Sequence, residues 1–245
     1  MNSHAAGEGE RALTFFCAFA LKQPVQDVIL PAFARSTGLR VEAVYEPTFR
    51  LLARIEPGAR PDVMAGITGS LADLVSAKVL EGLRPIARTG VGVAVAPGAP
   101  APDISTVDSL ISAVTGARSV AYSRSGPSGL YFAGLLERLG IAAQVKAKAT
   151  IIDAGPTALA LLDGRADLAI HQLSELLLVP EARIVGPLPD AVQEYTDFST
   201  ALGSNVSGAT PAVGTKHPAG ATELREFLHS NEARAAYAAN GLEPA

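Results

Sequence analysis

The sequence predicts an α/β protein of two lobes joined by two crossing segments, and three observations carry that reading. Strand-like apolar runs alternate with helical ones from end to end. A breaker-rich stretch, "GAPAPD", divides them near residues 97–103, and a polar stretch near 195–215 offers a return path. The expected division is residues 12–96 with 212–245 as one lobe and 97–211 as the other, residues 1–11 forming a flexible N-terminal segment.

The first series begins with "ALTFFCAF", a strand, and "LKQPVQDVILPAFARSTG", a helix stopped by Gly38. "RVEAVY" is the next strand, followed by a short helix through "FRLLARIEPG". "PDVMAGI" is a third strand and leads to the helix "SLADLVSAKVLEG". This is the pattern of a parallel sheet covered on both faces. "GVGVAVAPG" is a longer apolar strand that ends at the breakers. In the second series "STVDSLISAVTG" is a helix, "RSVAYS" a strand, and "SRSGPSGLYFAGLLERLG" a polar loop and helix. Pro127 suits that helix's first turn, Leu130, Ala133, Leu136 and Leu139 recur at near-helical spacing, and Gly140 closes it. "VKAKATIID", "ADLAIHQ" and "ARIVGPLP" read as strands, "GPTALALLDGR" as a helix, and "ATELREFLHS" and "NEARAAYAANG" as amphipathic helices. The C-terminal helices are expected on the first lobe.

Composition narrows the function. The 245 residues are 48% apolar and 18% charged, enough for a sizeable core and too apolar for wholesale disorder. A net charge of −4 without any basic run argues against a nucleic-acid partner. The single cysteine, Cys17, excludes an internal disulfide and reads as a small core residue. His4, His171, His217 and His229 lack ligand spacing, so neither a metal nor another cofactor is expected. No run approaches the roughly 20 apolar residues of a membrane helix, so no membrane insertion is expected. "MNSHAAGEGERA" is not a secretory signal, although "SHAAGE" resembles the tail of a cleavage site. The expected location is therefore periplasmic if a signal was trimmed or the start misassigned, and cytoplasmic as written.

In open α/β sheets ligands sit beyond the carboxyl ends of the strands. The loops there are "FALKQP", "YEPTFR", "ITGS", "SRSGPSG", "DAGPT" and "HQLS", and most carry a hydroxyl residue or a glycine at a helix start. A strand, a Ser/Gly turn and a helix start gather backbone N–H groups and the helix dipole around an anion. A well-capped βα loop without a ligand would look the same.

The chain resembles the molybdate-binding branch of the periplasmic solute-binding proteins, from about Leu13 to Glu243. The carriers are "LTFFCAFALKQPVQDV", "LLARIEPGARPDVMAG", "SGPSGLYFAGLLERLG", "ALALLDGRADLAI" and "LREFLHSNEARAAYAANGLEP". "GVGVAVAPGAPAPDIST" and "IVGPLPDAVQEYT" resemble a broad branch whose ligands are often unassigned. The resemblance implies a type II periplasmic-binding-protein fold with a ligand cleft between the lobes. It also implies an oxyanion held by loop hydroxyls and N–H groups. The first loop's serine position falls at Ala20, near Lys22, and the second loop's at or next to Thr48. Arg50 stands where the family has a small polar residue. The third loop's ligand position falls at Ser128, with Ser123, Arg124 and Ser125 close by, and the family's tyrosine falls at Gln172, beside His171.

Losing a hydroxyl and a tyrosine while gaining an arginine favours a small organic acid over molybdate, because a guanidinium matches a carboxylate bidentately. Each candidate also has a plain alternative: a solvated helix face for Arg50, an exposed loop tip for Arg124, a satisfied strand-end histidine for His171. Two functions follow. One is a receptor that closes on a small anion without chemistry, expected to be a monomer, with an ABC permease as partner if exported. The other is an isomerase of an unsaturated carboxylic acid like aconitate isomerase, a relative of the family. In it Lys22, Arg50 and Arg124 clamp carboxylates, and His171, Glu46 or Asp153 exchanges a proton.

Overall fold

A computed structural model describes residues 12–204 and 218–245; the segment 1–11 with His4, the residue His217, and the expected boundary at 211/212 lie outside the described residues. The chain forms two compact units, Met1–Ile86 with Phe198–Ala236 and Ala87–Asp197 with Tyr237–Ala245.

In the first unit β1 (Leu13–Ala18) lies between β2 (Val41–Glu46) and β3 (Val63–Ile67), parallel to both. The register sets Cys17 against Tyr45 and Ala18 against Glu46, so the carboxyl ends of β1 and β2 are level. A turn at Phe19–Leu21 leads into a helix of three parts: α1 (Lys22–Pro24), a π-helical turn (Val25–Ile29) and α2 (Leu30–Thr37). The wide turn precedes Pro31, which has no N–H to give to Asp27 and whose ring crowds that carbonyl. The register slips by one residue and Leu30 N–H donates to Val25 O. Gly38, at φ 75°, ends α2 in the left-handed conformation.

One face of this sheet packs Phe16 and Met64 against Leu51 and Ile55 of α3 (Thr48–Ile55) and Leu71 of α4 (Thr68–Ser76). Phe33 of α2 meets Phe227 of α10 (Pro218–Leu228) edge-on, with ring centroids 5.6 Å apart. β4 (Leu80–Val95) leaves this unit after Ile86, and β9 (Tyr195–Gly203) returns at Phe198 to pair antiparallel with β3.

In the second unit the strand order is β4, β7 (Leu168–Gln172), β5 (Val120–Ser123) and β6 (Thr150–Ile152). The last three are mutually parallel, while β7 and β8 (Arg183–Pro187) run antiparallel to β4. Val91, Val93, Leu168, Ile170 and Tyr122 face a core with α5 (Val107–Gly116), α6 (Pro127–Arg138) and α7 (Ala142–Lys146). Ala94, Ala121 and Ala169 face the other core, with α8 (Leu159–Leu162) and α9 (Leu173–Leu176). α11 (Asn231–Ala239) carries the chain back to this unit, where β10 (Glu243–Pro244) pairs with β4 at Arg88 and Ala87.

The α/β alternation is as expected; several elements differ in extent. The helix from Thr68 ends at Ser76, and Leu80 already starts a strand of 16 residues, whose first half the sequence presents as a helix end and a Gly/Pro loop. The polar return contains a nine-residue strand, β9, whose buried residues Phe198–Ala201 are covered by neighbours distant in sequence. "VKAKATIID" starts with the last two residues of α7 and holds only three strand residues, Thr150–Ile152.

Candidate functional site

Within each unit the groups that the loops were expected to supply stand at or just beyond the strand ends. In the second unit Ser123 ends β5, and its Oγ accepts the Gly126 N–H at 3.0 Å, folding the loop back on itself. α6 then starts behind Gly126 with Pro127 in its first turn and no side-chain cap. Gly129 is required there: a Cβ would lie 1.8 Å from the Ser123 carbonyl oxygen, so only glycine lets the helix start so near the strand end. Ser128, 2% exposed, sits in that first turn with an Oγ that has no hydrogen-bond partner. A buried hydroxyl without a partner loses its solvation and gains nothing in return, an arrangement that a bound acceptor relieves. The first-turn N–H groups of a helix also lack intrahelical acceptors, and the dipole there favours negative charge.

Arg124 and Ser125 lie on the exposed tip of the same loop. The Arg124 guanidinium is engaged by Asp153, from the loop after β6, through a hydrogen-bonded ion pair in which both side chains are well exposed. Gln172 ends β7 on the face that α6 covers, 2% exposed, and its Nε2 donates to Thr196 Oγ1 at 2.8 Å while its Oε1 has no partner. His171 points to the opposite face, the one that α9 covers. Its Nδ1 stands 3.3 Å from Glu175 Oε2, both side chains are nearly inaccessible, and the contact lacks hydrogen-bond geometry. Burial pushes the Glu175 carboxyl up, and His171 partly opposes that shift.

In the first unit Ala20 is buried in the turn after β1. Lys22 follows, partly buried, its Nζ 5.6 Å from the Phe19 ring centroid and 5.9 Å from that of Tyr45. Thr48 opens α3, 5% exposed, and its Oγ1 accepts the Ile67 N–H at 3.3 Å, so the hydroxyl proton remains for another acceptor. Arg50 is exposed and lies over the Phe49 ring at 5.9 Å. Its neighbour Arg54 takes Glu46 in a two-point pair at 2.8 and 2.7 Å, which holds the Glu46 carboxyl below its usual range. Glu46 is thus an ionised partner of Arg54, poorly suited to accept a proton near neutral pH.

Four polar features, one of them a pair of hydroxyls, escaped the sequence reading. Glu175 lies one helical turn beyond His171, Thr196 holds Gln172, and Thr68 Oγ1 shares a 2.8 Å hydrogen bond with Ser199 Oγ. Tyr45 has a buried hydroxyl without a partner. The spacing of His171 and Glu175 was a visible signal; the other three depend on strand pairing or packing. Cys17 is fully buried, which pushes its thiol up and leaves it a core residue. Among the described residues no group of three or more His, Cys, Asp or Glu is placed to hold a metal ion. No helix there is long and apolar enough to cross a membrane.

The chain matches the model of a family described as bacterial extracellular solute-binding protein over residues 13–243. An aconitate isomerase from Pseudomonas sp. is 34% identical over 227 residues, 88% of this chain and 82% of that protein. Among solved structures, the periplasmic molybdate-binding protein of Azotobacter vinelandii is 19% identical with a TM-score of 0.71, over 94% of this chain and 98% of that one. A sulfate-binding protein of Mycobacterium tuberculosis is 17% identical with a TM-score of 0.68, over 96% and 87% respectively. At these identities the solved structures speak for the fold alone, the α/β fold of the periplasmic binding proteins.

Proposed function

The chain belongs to the bacterial extracellular solute-binding protein family, and on that premise we propose that it binds a small di- or tricarboxylate anion. The observation that carries this reading is the α6 start: Ser128 Oγ, buried and unpartnered, among first-turn N–H groups of a helix without a side-chain cap. That set accepts any small oxyanion. Three features favour a carboxylate. By the family resemblance, Arg50 is a planar cation at a small polar residue's position, Gln172 stands at a tyrosine's and Ala20 at a serine's. Within the first unit Thr48 Oγ1 keeps a hydroxyl proton for an acceptor. The protein works as a monomer and, if exported, delivers its ligand to an ABC permease.

Calorimetric titration with tricarballylate, succinate and molybdate tests the reading. Ser128→Ala and Arg50→Ala are each expected to weaken carboxylate binding about tenfold to a hundredfold, the worth of one charge-assisted contact. Tight molybdate binding that ignores Arg50→Ala would overturn it.

A second reading, an isomerase that moves a proton on a bound unsaturated acid, is favoured by the aconitate isomerase relative. In this reading His171, with Glu175 beside its Nδ1, is the acid/base. Solvent deuterium entering trans-aconitate, lost in His171→Ala and kept in His229→Ala, is the expected result. Uptake that survives His171→Ala would remove His171 from the chemistry.

A further inference from the structure

The first unit holds a cation with no ionic partner among the described residues. Of the basic residues near the ends of β1 and β2, Arg54 is neutralised by Glu46, whereas Lys22 makes no ion pair among the described residues. Its ammonium instead lies within 6 Å of two ring centroids, Phe19 and Tyr45. Aromatic faces stabilise an ammonium without quenching its charge, so the cation is held in place and remains available to an anion. The arrangement follows from the strand register. Cys17 and Tyr45 are partners on one face of the sheet, and the Phe19–Leu21 turn brings Lys22 back over that face.

The same tyrosine carries the second element. Tyr45 OH is buried and has no hydrogen-bond partner, and the adjacent helix adds Gln23, whose Oε1 is also buried and unpartnered. Burial is the main influence pushing the Tyr45 phenol up, with smaller electrostatic contributions from the Cys17 thiol and the Asp27 carboxylate, so it stays an O–H donor. A fixed ammonium and an unused hydroxyl donor on the ring beneath it make a carboxylate subsite. Neither group belongs to the Ser128 or Thr48 loops.

We propose that Lys22, held over Phe19 and Tyr45, together with the Tyr45 hydroxyl, is a subsite of the first unit for one particular carboxylate of the ligand. It makes the protein select polycarboxylates over monocarboxylates. The proposal rests on the polycarboxylate reading above. A ligand with one carboxylate leaves Lys22 empty; a ligand with two or three engages it.

The test is calorimetric titration of wild type, Lys22→Met, Lys22→Arg and Tyr45→Phe with tricarballylate, succinate and propionate at two salt concentrations. Lys22→Met keeps the stem and its contacts while removing the charge. Expected are a loss of about tenfold or more for tricarballylate in Lys22→Met and a change below about twofold for propionate. Retention is expected in Lys22→Arg, and a smaller loss in Tyr45→Phe. The wild-type preference for tricarballylate is also expected to fall with added salt, and that salt dependence to vanish in Lys22→Met. If wild type binds tricarballylate and Lys22→Met binds it equally well, the subsite is refuted and the carboxylate reading stands. If wild type binds none of the three acids, both fall. An equal loss for all three probes in Lys22→Met would also refute the proposal, since it would mean a general disturbance of binding.

Discussion

Two glycines of α6 allow the site's construction to be tested by the same substitution with opposite expected signs. At Gly129 an added Cβ would lie 1.8 Å from Ser123 O, 2.7 Å from its carbonyl carbon and 3.0 Å from its Cα. All three are backbone atoms of the strand end, so no side chain can rotate away. Reaching even 3.0 Å from that oxygen requires the helix start to back off β5 by more than 1 Å, carrying Ser128 with it. Overpacking of this kind costs about 1–3 kcal/mol, partly offset by the ~1 kcal/mol by which alanine favours a helix over glycine. A contact this close to backbone atoms falls at the upper end of that range, so a net loss of about 2 kcal/mol is expected for Gly129→Ala. At Gly134 the added Cβ meets only Arg138 Nη1, at 3.6 Å, so the helix-propensity gain stands alone. Gly134→Ala is therefore expected to gain about 0.5–1 kcal/mol. Urea unfolding followed by far-UV circular dichroism measures both, and tricarballylate titration should show weaker binding for Gly129→Ala alone. Gly129→Ala as stable as wild type with unchanged binding would refute the claim that this close approach builds the site.

Stability should also fall between pH 7 and pH 5 because of His229. Its Nε2 lies 2.8 Å from Thr200 Oγ1, and burial, aided by the Arg84 charge, lowers its pKa to about 4 from 6.5. The native state stays neutral while the unfolded chain takes up a proton as pH drops through 6.5. This contribution is thus fully present above the unfolded value and lost toward acid. The side chain is only half-buried, so about 1 kcal/mol is expected after discounting for solvent screening, and His229→Gln should flatten urea midpoints across that window. At α5, the Thr106 side chain accepts the Ser109 N–H at 3.1 Å while Ser109 Oγ accepts the Thr106 N–H at 3.0 Å. Thr106→Ala should cost about 1 kcal/mol, and equal stability would show that this box adds nothing.

Local rules were enough for the order of elements. Apolar period placed β1, β3, β5 and β7, Gly38 and Gly140 stopped their helices in the left-handed conformation, and Pro127 opened α6. The loops at the strand ends were legible for the same reason, since a strand followed by a helix start is a local pattern; Ser128 and Thr48 as candidates rested on that pattern and on the family resemblance, and Gln172 on the resemblance. Strand β9 and the first half of β4 were not legible. "YTDFSTALG" and "LEGLRPIART" gain their strand character from hydrogen-bonded neighbours far away in the chain, and period and propensity report only nearby residues. The chemistry of the candidates was likewise decided in three dimensions. Sequence placed Arg124, Glu46 and His171 at strand ends, but their partners Asp153, Arg54 and Glu175 are set by loop proximity and helix direction. Lys22 received two aromatic faces because parallel pairing levels Cys17 with Tyr45, a juxtaposition that no local spacing encodes.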